Sequence, residues 1–136
     1  MCLSPSWCVL CRESAESIDH LFLHCPYSLN LWWKLLRVFG VTWVTPRSSV
    51  DLLSTKWAVT GKRKRALTLW NCLTHAIFWN VWTERNRRIF QENKEASIEE
   101  VWERVKFWAS IWASVSGLFK DYHYSIIMRD LVAVLM

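Results

Sequence analysis

Four potential metal ligands lie close together near the amino terminus, and they constrain the fold more than any other feature of the sequence. Cys8 and Cys11 are two residues apart, a spacing that lets two thiolates on one tight turn reach the same ion. His20 and Cys25 follow in a stretch that offers little else to build a core. A set of three cysteines and one histidine fills all four positions of a tetrahedron, which is typical of structural rather than catalytic zinc. The sequence therefore predicts a closed, structural Zn²⁺ site.

Two alternatives to this ligand set remain open at the level of sequence. His24 could replace His20, although His24 is adjacent to Cys25 and neighbouring side chains point in different directions. Cys2 could also contribute a thiolate, although its spacing from the next cysteine lacks the geometry of a tight turn. If no metal binds, these cysteines are ordinary buried thiols that behave as small hydrophobic groups. Cys72 lies in an apolar helical segment and is predicted to belong to the core.

The sequence predicts a protein that is neither secreted nor anchored by a membrane span. No positively charged start followed by an apolar segment and a cleavage site is recognisable. Closely spaced cysteines are then more often metal ligands in a reducing compartment than disulfides, which points to the nucleus or the cytoplasm. The uncharged stretch Ala66–Trp82 is interrupted by polar residues and falls short of the roughly 20 apolar residues that a transmembrane helix needs.

The hydrophobic pattern predicts a mostly α-helical fold with four segments. The chain has 136 residues, of which 52% are hydrophobic, and this is enough for one domain with a modest core. Residues 1–40 are expected to form a small zinc-binding module that ends in a short helix over Leu29–Phe39. Residues 41–62 are expected to form a connector with a second short helix. Residues 63–120 are predicted to form two long antiparallel helices, and residues 121–136 form a tail whose conformation the pattern does not define.

The two long helices have distinct sequence signals. The first is predicted over Arg65–Gln91, where apolar residues recur at helical spacing on a wide face. The second begins behind Ser97 and Glu100, which form an S-x-x-E capping box. Its apolar seam consists of Ile98, Val101, Val105, Trp108, Trp112, Val115 and Phe119, and this seam predicts a helix that continues to about Phe119.

Basic and aromatic residues suggest contact with a polyanion. The formal net charge is +5, and the strongest basic cluster consists of Lys62, Arg63, Lys64 and Arg65. Such a cluster is a candidate for contacts with phosphate groups, and an equally plausible interpretation is a solvated face at the start of a helix. Among the 11 Trp residues, Trp7 is a candidate platform for stacking with a base, because it lies outside the helical stripes. Core positions are predicted for Trp70, Trp102, Trp108 and Trp112.

Two segments together resemble a known family. Residues 7–26 match the pattern C-x-L-C, E-[ST], D-H-L-F-x-x-C, with Trp32 seven residues after Cys25. Residues 78–90 resemble W-x-x-W-x-E-R-N-x-R-I-F. In this order the segments resemble the reverse-transcriptase zinc-binding domain at the carboxyl end of plant LINE-type (non-LTR) retrotransposon polyproteins, and the resemblance extends from about Trp7 to Phe119.

This resemblance implies zinc as the metal, RNA or DNA as the partner, and a reverse transcriptase domain as the ancestral neighbour. It implies no catalysis, because the paired aspartates of a polymerase palm, usually written Y-x-D-D, are absent from the sequence. Asp121 and Tyr122 stand in the wrong order and lack the second aspartate. The sequence thus predicts a non-catalytic module that binds zinc and nucleic acid. The alternative is a structural or protein-interaction remnant of a decayed retroelement without retained activity.

Overall fold

The predicted mostly α-helical architecture is confirmed. The computed structural model describes residues 7–39, 64–90, 95–117, 119 and 123–129. A π-helical turn over His20–His24 leads into helix α1, Pro26–Phe39. The two long antiparallel helices are α2, Lys64–Phe90, and α3, Ile98–Ser114. A short helix α4 follows at Tyr124–Arg129, in the tail that the pattern had left undefined. The predicted connector and its short helix lie outside the described residues.

Helix α1 starts three residues earlier than its apolar pattern predicts. Pro26 occupies the first helical position, where a missing backbone N–H costs nothing and a fixed φ favours helical geometry. The helix buries Leu31, Trp32 and Leu35 completely, and the Trp32 indole N–H donates to the carbonyl oxygen of Phe22 at 2.7 Å. This bond satisfies the polar atom of a buried Trp and attaches α1 to the π-helical turn.

Helix α2 is the central element and packs most extensively against α3. Its bounds agree with the prediction to within a residue at each end. The wide apolar face predicted for this helix is confirmed where side chains are described, because Trp70, Leu73, Ile77 and Val81 are all buried. Within the described residues, no helix combines the length and apolar content needed to cross a bilayer.

The prediction for α3 was right at its start and wrong at its end. The Ser97 hydroxyl accepts a hydrogen bond from the Glu100 N–H at 3.2 Å, as the capping pattern requires. The helix ends at Ser114, however, and Val115 is 80% exposed. Gly117, two residues past the C-cap Val115, adopts a left-handed φ of 84°, which Gly reaches without steric cost and which redirects the chain after the helix.

The buried face of α3 also differs from the predicted seam. Val101 and Val105 are buried as expected, but the ridge continues through Ala109 and Ala113, which are fully buried. These small side chains let the backbone of α3 pack closely against α2, and larger side chains such as Trp108 lie at the edge of this contact. Trp108 is 38% exposed, and its assignment to the core was therefore wrong.

A buried carboxylate joins the ends of α2 and α3. Glu84 is 1% exposed and accepts hydrogen bonds from Arg87, from Arg88 Nε at 2.8 Å, and from the Ala96 N–H at 3.0 Å. The Arg104 guanidinium lies 3.6 Å from the same carboxylate. A buried charge is costly unless it is paired and hydrogen-bonded, and these partners meet that requirement.

The Ala96 carbonyl extends this junction to α1. It accepts hydrogen bonds from the Tyr27 hydroxyl at 3.0 Å and from Arg88 at 3.1 Å. The Arg88 guanidinium also lies over the Tyr27 ring, 4.9 Å from its centroid. Burial raises the pKa of Tyr27 to about 12, so the hydroxyl remains a donor at neutral pH. Three helices therefore meet through one loop residue.

We predict that Glu84→Gln lowers the free energy of unfolding by about 3 kcal/mol, because it leaves the largely buried Arg88 without its counter-charge. Urea denaturation of the zinc-saturated protein measures the effect. The matched control is Glu103→Gln, which removes a 58% exposed carboxylate paired with Lys106, and a change of less than about 0.5 kcal/mol is expected. Equal effects of the two substitutions would contradict the assigned role of Glu84.

Candidate metal centre

The first two candidate ligands lie on one tight turn. The Arg12 N–H donates to the Cys8 carbonyl at 2.9 Å, and the Cys8 N–H donates to the Ser14 carbonyl at 2.9 Å. Arg12 has a left-handed φ of 57°, which costs an ordinary L-residue about 1–2 kcal/mol. The turn therefore depends on contacts outside itself, and one of these is the backbone bridge between Trp7 and Ala15.

The other two candidates lie at the start and the end of the π-helical turn. In an α-helix, residues five apart are separated by about 500° and face about 140° away from each other. Here the Cys25 N–H donates to the His20 carbonyl at 2.7 Å, the i to i+5 bond of a π-helix. That wider turn brings residues 20 and 25 to the same side of the segment. The local backbone thus places an imidazole and a thiol together.

The side chains of Cys8, Cys11, His20 and Cys25 converge at one point. Their ligand atoms all lie within 4.8 Å of one another. The Sγ atoms of Cys8 and Cys25 are 3.9 Å apart, and Cys11 Sγ lies 3.4 Å from His20 Nε2. Cys8 and Cys25 are fully buried, whereas Cys11 and His20 are partly buried.

These separations match what a tetrahedral zinc ion imposes on its ligands. With Zn–S bonds of about 2.3 Å and a Zn–N bond of about 2.0–2.1 Å, tetrahedral angles place two sulfurs about 3.8 Å apart and a sulfur and a nitrogen about 3.6 Å apart. The observed 3.9 and 3.4 Å are within a few tenths of an ångström of these values. Three thiolates and one imidazole are also a donor set that zinc prefers. The cluster fits a closed, structural zinc site.

The two buried thiols shift each other's pKa in opposite directions. Their mutual hydrogen bond lowers the pKa of Cys8 and raises that of Cys25, and burial further raises the pKa of Cys25. Cys25, whose pKa is raised, must therefore lose a proton to become a ligand. Cys72 behaves differently, because it lies half-buried in α2 and burial raises the pKa of its thiol.

Two ion pairs fasten the metal-ligand turn to the long helices. Arg85 on α2 donates to both carboxylate oxygens of Glu16, at 2.7 and 3.2 Å, and both side chains are largely buried. Arg12 pairs with Glu95, just before α3, in a more exposed position. The Arg85–Glu16 contact was not predicted, although Glu16 and Arg85 belong to the two segments that carry the family resemblance.

The remaining predicted site residues are dispersed. His24 is exposed and does not belong to the cluster. Trp7 is half-buried beside Cys8, and its indole nitrogen is buried without a hydrogen-bond partner among the described residues. Lys62 and Arg63 lie outside the described part of the chain, as does Cys2. Lys64 and Arg65 form the first turn of α2.

Cys8 and Cys11 on one turn, together with His20 and Cys25 at the two ends of the π-helical turn, form a four-ligand cluster that fits a structural zinc site. Residues 2–32 match the sequence model of a family described as zinc-binding in reverse transcriptase. Together with the cluster, this match fits a reverse-transcriptase zinc-binding domain, which is an accessory domain and not the catalytic part. No curated protein and no solved structure gave a significant match to the chain.

We predict that the purified protein contains one zinc ion per chain and that replacing any cluster cysteine with Ser, or His20 with Asn, abolishes stoichiometric binding. His24→Asn and Cys72→Ser are the matched controls and should retain the metal, since neither residue reaches the cluster. Elemental analysis of each purified variant measures the stoichiometry. If His24→Asn loses zinc and His20→Asn retains it, the assignment of His20 as the ligand is wrong.

We also predict that zinc affinity falls as pH falls, because the metal displaces protons from thiols such as Cys25. Each proton released on binding changes the affinity by about tenfold per pH unit. Competition with a chelator of known affinity at pH 7.5 and 6.0 measures the change. An affinity independent of pH over this interval would contradict proton release from Cys25 on metal binding.

Proposed function

We propose that this chain is a non-catalytic zinc module that binds nucleic acid and acts alongside a LINE-type reverse transcriptase. The observation that carries the proposal is a ligand cluster of zinc geometry inside a segment that matches a reverse-transcriptase zinc-binding family. All four tetrahedral positions are supplied by protein groups, so the ion would stabilise the fold and leave no position for a substrate. We expect the protein to act in the nucleus or the cytoplasm, where its thiols remain reduced.

The ligand set that we propose is Cys8, Cys11, His20 and Cys25. The position of His20 Nε2, 3.4 Å from Cys11 Sγ, favours His20 over His24. The backbone favours Cys11 over Cys2. The hydrogen bonds of Cys8 with Arg12 and Ser14 form a turn that directs Cys8 and Cys11 to one point. Within this arrangement zinc would offset the cost of the left-handed Arg12 and hold the π-helical turn against α1.

The nucleic-acid role rests on the distribution of charge. Lys64 and Arg65 lie in the first turn of α2, where cations oppose the helix dipole and gain no local stabilisation. Together with Lys62 and Arg63 they form a block that can displace counterions from a phosphate backbone. Trp7, next to the metal-ligand turn, is the second proposed contact, although its partial burial leaves only part of the ring for a base.

A protein-interaction module without nucleic-acid affinity is the second candidate. Exposed apolar side chains favour it, because Phe90, Ile18 and Val115 are each more than 70% exposed. Large exposed apolar surface marks contact sites for other proteins. In this case the natural partner would be the neighbouring reverse transcriptase domain, and the basic cluster would be a solvated helix start.

We predict that zinc-loaded protein binds RNA or DNA and that changing Lys62, Arg63, Lys64 and Arg65 to Ala weakens binding and flattens its salt dependence. The slope of log K against log salt should fall by about one for each phosphate contact that is lost. Fluorescence anisotropy at several salt concentrations measures both quantities, and Arg37→Ala, an exposed cation on α1, is the control. An unchanged slope in the four-fold variant would remove this cluster from the interface.

A further inference from the structure

Helix α2 buries one side and leaves an aromatic stripe on the other. Residues spaced by three and four along this side are exposed, beginning with Asn71 and His75 and continuing through Trp79 and Trp82. Trp79 is 53% exposed and Trp82 is 42% exposed. We call Asn71, His75, Trp79 and Trp82 the α2 stripe. Two exposed Trp side chains on the central helix leave a large apolar area in contact with water. A ligand that covered these rings would bury this area, and we therefore treat the stripe as a candidate binding surface.

The helix that carries this stripe also carries most of the excess positive charge. Residues 64–90 contain five Lys and Arg against a single acidic residue, a formal net charge of +4, whereas the whole chain has +5. That acidic residue, Glu84, is 1% exposed and already bound by two arginines of α2. The described side chains of α2 therefore present no exposed carboxylate beside the stripe.

The two Trp residues of the stripe differ in how much of the ring is available. Trp82 is covered on one side by the Arg85 guanidinium, 4.9 Å from its centroid, and it lies 6.4 Å from the Phe22 ring. Arg85 is held in place by Glu16, so this cover is fixed. The Trp79 ring makes no stacking contact with another aromatic ring or a cation within the described part of the chain. The Trp79 ring is therefore available for stacking with a base, whereas one face of the Trp82 ring is already covered by Arg85.

We propose that the α2 stripe binds single-stranded nucleic acid, with an unstacked base on Trp79 and the backbone running toward Lys64 and Arg65. This inference rests on the proposed function and names both the site and the form of nucleic acid. The distance from Trp79 to the start of α2 is about 22 Å along the helix, which several nucleotides of an extended strand span. Asn71 and His75 lie between the platform and the basic end and offer hydrogen bonds to bases or sugars.

Charge and stacking distinguish this occupant from the alternatives. A base within a duplex is already stacked, so a Trp ring gains little from it, whereas a single strand offers its bases without that competition. A second copy of the chain would bring two helices of +4 face to face, which is unfavourable. An anionic strand instead complements the charge of the helix and covers its aromatic surface.

The test is anisotropy of a fluorescein-labelled oligouridine of about 12 nucleotides with zinc-loaded variants. Trp79→Ala should weaken binding by at least about fivefold without changing the salt slope, because stacking releases no counterions. Trp79→Phe should retain most of the affinity. Trp33→Ala is the matched control, since Trp33 is 54% exposed on α1 and lies outside the stripe. Photocrosslinking with bromouridine should modify Trp79 in the wild-type protein.

Equal affinities of Trp79→Ala and Trp33→Ala, in a protein that binds the oligonucleotide in a salt-dependent manner, would overturn this assignment and leave the proposed function intact. A wild-type protein without salt-dependent binding would overturn both. A Trp79→Ala variant that loses only self-association, measured by sedimentation, would identify the stripe as an interface between copies and also overturn the proposal. Zinc content and far-ultraviolet circular dichroism establish that each variant is folded.

Discussion

The convergence of three thiols and one imidazole is the constraint on which the rest of this structure depends. The described part of the segment before α1, residues 7–25, contains one backbone bridge, a turn with a left-handed Arg12 and a single π-helical turn, and it buries only a few apolar side chains such as Leu10, Leu21 and Leu23. Such a segment cannot recover its ordering entropy from burial alone. A zinc ion bound by four protein groups supplies folding free energy directly, since an unfolded chain offers no preformed site.

The influence of this centre extends beyond the 31-residue segment that matches the zinc-binding family. Through Glu16 and Arg85 the metal-ligand turn is fixed to α2, and through Trp32 and Phe22 the π-helical turn is fixed to α1. Arg85 in turn covers the Trp82 ring on the solvent side of α2. These contacts connect the metal centre to the helical pair and to the α2 stripe. Without α2, the metal-ligand turn would lose the Glu16–Arg85 ion pair that orients it. The Glu84 junction lies at the same end of the helical pair, one residue from Arg85, and joins α2 to the residue before Ser97 and, through Ala96 and Tyr27, to α1.

Sequence reasoning predicted the features that depend on local spacing. The C-x2-C turn, the start of α3 at its capping Ser97 and the bounds of α2 all follow from neighbouring residues, and each agrees with the structure. Features set by packing between helices were missed or mispredicted. Trp108 and Val115 continue an apolar seam, but close approach to α2 favours the small Ala109 and Ala113, so the seam rotates and the helix ends early. The burial of Glu84 was not predicted, because nothing local reveals that the Ala96 N–H and Arg104 reach the same carboxylate as the neighbouring Arg87 and Arg88. The phosphate-binding role of the basic cluster and the short helix of the connector stay predictions.

Zinc K-edge X-ray absorption of the purified protein tests the central claim most directly, because it counts the atoms bound to the metal. The account predicts three sulfurs at about 2.3 Å and one nitrogen at about 2.0–2.1 Å, with no oxygen in the coordination shell. Two or more light-atom ligands, or a bound water, would contradict a closed site formed by Cys8, Cys11, His20 and Cys25.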